Sequence, residues 1–214
     1  FAYIVAYIIW SLDIMRSMRR FSAGEKKYAA GVREFRIPGS VAYRVFYPAN
    51  TQQASKFKGG NWFREGTSSF LTGYVYLAIA IDMESIWGTV LEGLCFTICF
   101  FLPPTWFTIP YCYKDAPLAQ QADEEKKGFH TFPLVLFSHG LTGTGEEHAM
   151  FFTDLARRGV VVAILTHQDG SSSRVRKEDG SLLYYRKPNF KNYSMDFRPN
   201  QIKIRQEEME AMRN

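Results

Sequence analysis

Residues 133–167, PLVLFSHGLTGTGEEHAMFFTDLARRGVVVAILTH, decide the fold of this 214-residue chain. The stretch contains two short apolar runs, Pro133–Phe137 and Val160–Leu165, of the length and composition typical of strands buried on both faces of a parallel sheet. Between them, Thr144 and Glu147 have the spacing of a capping box at a helix start. The pattern therefore predicts a strand–helix–strand unit.

Polar and glycine-rich segments follow both predicted strands. Ser138–Gly143 comes after the first strand, and Thr166–Gly170 after the second. Functional groups in such sheets collect at the carboxyl ends of the strands. Both segments are therefore candidate site loops.

The chain on either side of this unit adds a hairpin and helices. Two runs rich in β-branched and aromatic residues, Val32–Ile37 and Val41–Tyr47, flank Pro38-Gly39, which is typical of a type II turn. Residues 48–66 are polar and predict a loop, and residues 201–214 predict a helix. The predicted fold class is α/β, with a hairpin joined to a mostly parallel sheet.

A further amphipathic helix is predicted before Pro103-Pro104, where prolines end it. Its large apolar residues recur at helical spacing: Ile86, Trp87, Val90, Leu91, Leu94, Ile98 and Phe101. Two interpretations stay open at this point. This face covers the central sheet, or it lies on a membrane surface as an interfacial helix.

The sequence divides into an N-terminal segment, residues 1–27, and an incomplete α/β domain over residues 28–214. Phe1–Trp10 is wholly apolar and is followed by a basic stretch, but it is shorter than the about 20 residues that span a bilayer. It is interpreted as a helix, either the end of a membrane anchor or a helix packed on a partner. The net charge of +5 suits an anionic membrane surface. Nucleic acid is not indicated, because no nucleic-acid-binding motif accompanies the charge.

Three cysteines lie in one apolar stretch: Cys95, Cys99 and Cys112. An odd number does not form a complete disulfide framework, so we expect buried thiols that behave as small hydrophobic groups. The residues around them have no metal-ligand spacing, and neither a metal nor a cofactor is predicted.

Two stretches carry a resemblance to a known family. FPLVLFSHGLTG over residues 132–143, a helix, and VVVAILTHQDGSSS over residues 160–173 resemble the plasma and type II platelet-activating-factor acetylhydrolases, which are α/β-hydrolases. The resemblance extends over about residues 28–214 and corresponds to the N-terminal portion of that family. It implies a partial α/β-hydrolase fold. It also implies calcium-independent hydrolysis of short or oxidised sn-2 acyl chains of phospholipids by serine acyl transfer.

The resemblance also implies roles for individual residues. The main-chain N–H of Leu141 is expected to be one donor of an oxyanion hole, within a supporting loop made of Ser138, His139, Gly140 and Gly143. By their positions, His167 and Asp169 could form a catalytic dyad, but a strand end and the turn after it favour side chains that bind backbone groups and orient the strand-end loops. The family has an interfacial helix in the region that matches residues 86–101, which favours the membrane interpretation of that helix and a membrane-associated protein.

One motif that a serine hydrolase of this fold needs, Gly-x-Ser-x-Gly, does not occur in the 214 residues. Gly66–Phe70 and Gly170–Arg174 come nearest, and each lacks the last glycine. The nucleophilic serine, the acid and the catalytic histidine are therefore expected after Asn214, and the chain by itself is expected to be inactive. Two hypotheses follow: part of an active phospholipid esterase, or a catalytically silent accessory or structural subunit of a membrane protein complex.

Overall fold

A computed structural model describes residues 26–79, 85–101, 107–119, 122–123, 128–129, 132–187 and 197–213. The N-terminal apolar helix predicted for Phe1–Trp10 lies outside these ranges. The strands of the main sheet are β1 (Ala29–Arg36), β2 (Ala42–Ala49), β3 (Gly59–Asn61), β4 (Thr108–Lys114), β7 (Leu134–Ser138) and β8 (Val161–Leu165). Within the described ranges, these six strands lie in the order β3-β4-β1-β2-β8-β7.

Two small ribbons and the helices complete the described part of the chain. One ribbon pairs β5 (Ala122–Asp123) with β6 (Gly128–Phe129), and the other pairs β9 (Arg174–Arg176) with β10 (Leu182–Tyr184). The helices are α1 (Thr51–Ala54), α2 (Thr67–Ile79), α3 (Ile86–Phe100), α4 (Ala149–Arg157) and α5 (Phe197–Arg213), and a 3-10 turn, Glu146–His148, precedes α4.

The predicted hairpin is confirmed by strands β1 and β2. They pair antiparallel from Ala29 opposite Ala49 to Arg36 opposite Ala42. Gly39 has a φ of 70°, the positive value that a type II turn places on its second central residue. The turn is closed by Ser40 N–H, which donates to the Ile37 carbonyl at 2.9 Å.

The strand–helix–strand unit is also confirmed. Strands β7 and β8 run parallel with Leu134 beside Val161 and Ser138 beside Leu165, and α4 connects them. The main-chain N–H of Thr144 donates to both carboxylate oxygens of Glu147, at 2.9 and 3.2 Å, and Thr144 Oγ accepts from Glu146 N–H at 3.3 Å. The predicted capping residues therefore lie at the 3-10 turn, and α4 begins only at Ala149.

The sheet corrects two expectations. It is mixed rather than mostly parallel, because among the described strands β1 with β4 and β7 with β8 run parallel, while three pairs are antiparallel. Strand β8 is buried from Val162 to Leu165, but β7 is not buried on both faces: Leu134 is 59% and Val135 41% exposed. Within the described ranges β7 is the last strand of the sheet, so one of its edges has no covering neighbour.

The loop predicted over residues 48–66 contains two short elements, α1 and β3. Asn50 begins α1, since its side-chain oxygen accepts from the main-chain N–H groups of Gln52 and Gln53 at 3.0 and 3.2 Å. Strand β3 pairs antiparallel with β4 and forms the other end of the sheet.

The core lies between α4 and the sheet. Phe152 of α4 is buried against Phe46 of β2 and Phe137 of β7, with ring centroids 5.7 and 4.9 Å apart. Cys112 belongs to the same core, and Cys95 and Cys99 are buried on α3. All three are free thiols, which confirms the expectation of buried cysteines.

Helix α3 packs against α2 and exposes most of its large apolar residues. The buried side consists of Gly88, Leu91, Cys95 and Cys99. Leu91 therefore does not share a surface with the other six residues of the predicted face, which are all exposed: Ile86, Trp87, Val90, Leu94, Ile98 and Phe101. The interpretation that this face covers the sheet is wrong. No helix in the described ranges has the length and apolar character needed to cross a bilayer.

Candidate functional site

The fold brings the two candidate loops together. Because β7 and β8 are parallel, their carboxyl ends lie side by side, and both loops begin at that end of the sheet. Thr142 N–H donates to the Ser171 carbonyl at 2.7 Å, and Ser173 N–H donates back to the Thr142 carbonyl at 3.1 Å. This pair of hydrogen bonds joins the loop that contains Leu141 to the loop that contains Asp169.

His139 is buried between the loops with both ring nitrogens engaged. Nδ1–H donates to the Gly140 carbonyl at 2.7 Å, and Nε2 accepts from the main-chain N–H of His167 at 3.0 Å. Burial is the main cause that lowers the pKa of His139 from 6.5 to about 4; the nearby His167 and Arg205 act in the same direction, and the hydrogen bond to the Gly140 carbonyl and the Asp169 carboxylate act against it. His139 is therefore a neutral imidazole whose hydrogen bonds connect the two loops.

His167 is fully buried and links three elements. Its Nε2 lies 2.8 Å from Ser138 Oγ, and its Nδ1 lies 2.6 Å from Glu208 Oε2 of α5. The other oxygen of Glu208 accepts from Gln168 N–H at 3.0 Å. The order serine–histidine–carboxylate is that of a catalytic triad. With no exposed ring edge, however, His167 has no path for a proton to a leaving group, so the arrangement fixes the strand ends.

Asp169 is held by groups from its own loop and from α5. Ser171 N–H donates to Asp169 Oδ1 at 2.9 Å, and Arg205 Nε donates to Oδ2 at 2.8 Å. Burial alone raises the pKa of Asp169, but the hydrogen bonds from Ser171 and the Arg205 guanidinium outweigh it and hold the pKa below its ordinary value. Asp169 is therefore the ionised partner of Arg205.

Arg205 and Glu208 were not predicted from the sequence as site residues. Arg205 donates to the His139 carbonyl at 2.8 Å and to Ser171 Oγ, in addition to Asp169. Gln201, on the same side of α5, donates to the Asp169 carbonyl at 3.0 Å. The sequence feature that could have indicated them is the spacing of Gln201, Arg205 and Glu208, which places the three residues on one face of a helix. The sequence does not indicate that this face packs against the loops.

Leu141 lies at the rim of the site with its side chain 53% exposed. None of the other described residues accepts a hydrogen bond from its main-chain N–H. The residue lines an open cleft of about 290 Å³, together with Asp169, Ser171, Arg198, Gln201, Ile202 and Arg205.

The local backbone path of residues 138–143 does not depend on glycine. Thr142, and neither Gly140 nor Gly143, adopts the positive φ, at 66°. A Cβ added at Gly140 meets nothing within 4 Å, and one added at Gly143 meets only ordinary contacts. The local backbone path therefore does not require the two glycines. The strained backbone conformation is that of Thr142, whose N–H and carbonyl are both hydrogen-bonded to the second loop.

The mixed sheet, the helices between its strands and the paired strand-end loops give the protein an α/β character that is consistent with a hydrolase-like fold. The family model described as platelet-activating factor acetylhydrolase, isoform II, matches residues 19–213. The chain therefore belongs to this family, which supports phospholipid-ester hydrolysis as its general activity. No curated protein matches the chain significantly.

Proposed function

We propose that this protein is a calcium-independent phospholipid esterase that removes short or oxidised sn-2 acyl chains by serine acyl transfer, with Leu141 N–H as one donor of its oxyanion hole. The observation that carries the proposal is the free main-chain N–H of Leu141 among the described residues, at the edge where the strand-end loops meet. Family membership gives the reaction class.

The main-chain N–H of Leu141 suits an oxyanion hole because its neighbours hold it in place before the substrate binds. Ester cleavage passes through a tetrahedral intermediate whose oxygen carries a negative charge, and one fixed donor contributes about 3–4 kcal/mol to its stabilisation. The neighbours of Leu141 are fixed on both sides, because the His139 carbonyl accepts from Arg205 and Thr142 N–H is bound to the Ser171 carbonyl. The donor therefore needs little reorganisation when charge develops on the substrate.

The attacking serine in this proposal belongs to a Gly-x-Ser-x-Gly elbow, as the family pattern implies, and no such elbow occurs in these 214 residues. Ser138 is assigned to the loop rather than to the attack, because its hydroxyl contacts a fully buried imidazole. Labelling of the full-length protein with a fluorophosphonate, followed by peptide mapping, separates the two serines. Label on Ser138 would contradict the assignment.

The donor is tested by a pair of variants at one position. Leu141→Pro removes the N–H, and Leu141→Ala keeps it. We expect the proline variant of the full-length enzyme to lose about 10²–10³ in kcat on a short-chain phospholipid in EDTA, and the alanine variant to stay near wild type. Replacing the Leu141 amide by an ester linkage removes only the N–H and checks for misfolding. Undiminished kcat in that ester variant overturns the proposal.

We also propose that the exposed apolar face of α3 binds the phospholipid surface. Trp87 is 67% exposed, and burying about 150 Å² of its ring at about 25 cal/mol per Å² contributes about 3–4 kcal/mol. Trp87→Ala is expected to weaken sedimentation with phosphatidylcholine–phosphatidylserine vesicles more than tenfold. Thr89→Ala, an exposed polar change on the same helix, is the control. Equal vesicle binding by both variants would exclude this surface.

The second candidate function is a catalytically silent accessory subunit of a membrane complex. The observation in its favour is the exposed apolar surface of β7, at Leu134 and Val135, next to an edge without a partner strand among the described residues. Such a subunit is expected to co-purify with membrane proteins and to resist fluorophosphonate. A free monomer that reacts with the probe excludes this candidate.

A further inference from the structure

Two contacts of one side chain lie on either side of the proposed oxyanion donor. Arg205 Nη1 donates to the His139 carbonyl at 2.8 Å, two residues before Leu141. Its Nη2 donates to Ser171 Oγ, and the carbonyl of Ser171 accepts from the N–H of Thr142 at 2.7 Å, one residue after Leu141. The guanidinium is therefore connected to the donor from both sides along the chain.

The direction of the guanidinium is itself fixed. Arg205 Nε donates to Asp169 Oδ2 at 2.8 Å, and the carboxylate of Asp169 is fully buried. Gln201, one helical turn earlier on α5, donates to the Asp169 carbonyl at 3.0 Å. A planar group with several donors held at one end by an ion pair presents its other donors in set directions.

From these contacts we propose that Arg205 is a positioning residue for the oxyanion donor, an inference that rests on the proposed function of Leu141. The guanidinium fixes the loop from His139 to Thr142 and thereby aims Leu141 N–H at the ester oxygen. It acts through the loop and does not touch the substrate. Lysine does not replace it, because one ammonium group does not reproduce the planar fork that reaches three separate acceptors.

The position of a donor matters more for the transition state than for substrate binding. The loop binds the charged oxygen only when the tetrahedral intermediate forms, so a misdirected N–H lowers kcat and leaves KM nearly unchanged. A displacement of about 1 Å in a catalytic group costs about a hundredfold in rate. We therefore expect Arg205→Lys and Arg205→Ala to lose about 10- to 100-fold in kcat, with KM within about twofold of wild type.

The experiment measures kcat and KM of the full-length enzyme on a short-chain phospholipid. Lys203→Ala, an exposed position on α5 close to Arg205, is the matched control and is expected to stay at the wild-type rate. Guanidinium at millimolar concentration is expected to restore part of the kcat of Arg205→Ala, and methylammonium is not. A merely structural role of Arg205 would give no such selective recovery.

The possible results separate the positioning role of Arg205 from the donor role of Leu141. Wild-type kcat in Arg205→Ala, or a raised KM with unchanged kcat, overturns the positioning role, and the second result would place Arg205 on the substrate instead. Loss of kcat without guanidinium recovery overturns it as well. If the ester-linkage variant at Leu141 is fully active, the proposed function fails first, and the two failures are thereby told apart.

Discussion

Acidification is expected to destabilise the protein through His139. The imidazole is buried, donates from Nδ1 to the Gly140 carbonyl, and accepts at Nε2 from His167 N–H at 3.0 Å. Protonation puts a second proton on Nε2, which faces the His167 N–H and, at 3.0 Å, the Ser172 hydroxyl oxygen. The hydrogen bond from His167 N–H is then lost, Ser172 Oγ is left as the acceptor, and a charge is buried next to Arg205.

The magnitude follows from the pKa of His139, which burial lowers from 6.5 to about 4 in the folded protein. Between these values the unfolded chain binds more protons than the folded one, so the free energy of unfolding falls as the pH falls. The full contribution is present above pH 6.5 and is lost progressively down to pH 4. About 2.5 pH units at 1.36 kcal/mol each give about 3 kcal/mol.

Urea unfolding between pH 4 and pH 8 measures this contribution. His139→Gln keeps an acceptor for His167 N–H but does not titrate, so its free energy of unfolding is expected to fall by about 3 kcal/mol less than that of wild type over the acid range. His148→Gln removes an exposed imidazole and is the control. If wild type and His139→Gln lose stability in parallel, the buried neutral imidazole is refuted.

Three further outcomes are expected. Arg44→Met leaves Glu146 buried without its cation, 3.3 Å away in the wild type, and costs about 3–5 kcal/mol in urea unfolding at pH 7. This loss in the free energy of unfolding becomes smaller toward acid pH, because burial raises the pKa of Glu146 and its carboxyl group takes up a proton in the folded protein before it does so in the unfolded chain. A loss that does not change with pH would contradict this expectation. Phe152→Ala costs about 3–5 kcal/mol in the same assay, while exposed Phe151→Ala changes stability by about 0.5 kcal/mol or less, and equal losses would contradict the core assignment. Cys112, whose thiol pKa burial raises to about 12, is expected to react with iodoacetamide only in denaturant, and rapid native labelling would show otherwise.

The sequence was sufficient for those parts of the site that depend on short-range pattern. The apolar runs around residues 134–138 and 161–165 predicted two strands and a helix between them, and parallel strands end at one edge, so the meeting of the two loops followed. The membership in the acetylhydrolase family, expected from the same residues, is confirmed. The role of Leu141 as an oxyanion donor stays a prediction.

Contacts between distant segments were not predictable in the same way. Arg205 meets His139 across 66 positions of the chain, and Glu208 meets His167 across 41. A helical pattern gives the side of α5 on which Arg205 and Glu208 stand, but it does not give the element against which that side packs. These pairs depend on where the sheet and the helix lie relative to each other.

The sequence by itself determined the elements that its periodicity encodes: the hairpin, the unit over residues 133–165, the amphipathic α3 and the terminal α5. Only the tertiary structure decided that β7 is the last of the described strands at one end of the main sheet, with Leu134 exposed, that α3 turns Leu91 inward and Trp87 outward, and that Thr142 has the positive φ. The physical reason is that periodicity records which side of an element is apolar, whereas burial depends on which neighbours cover that side.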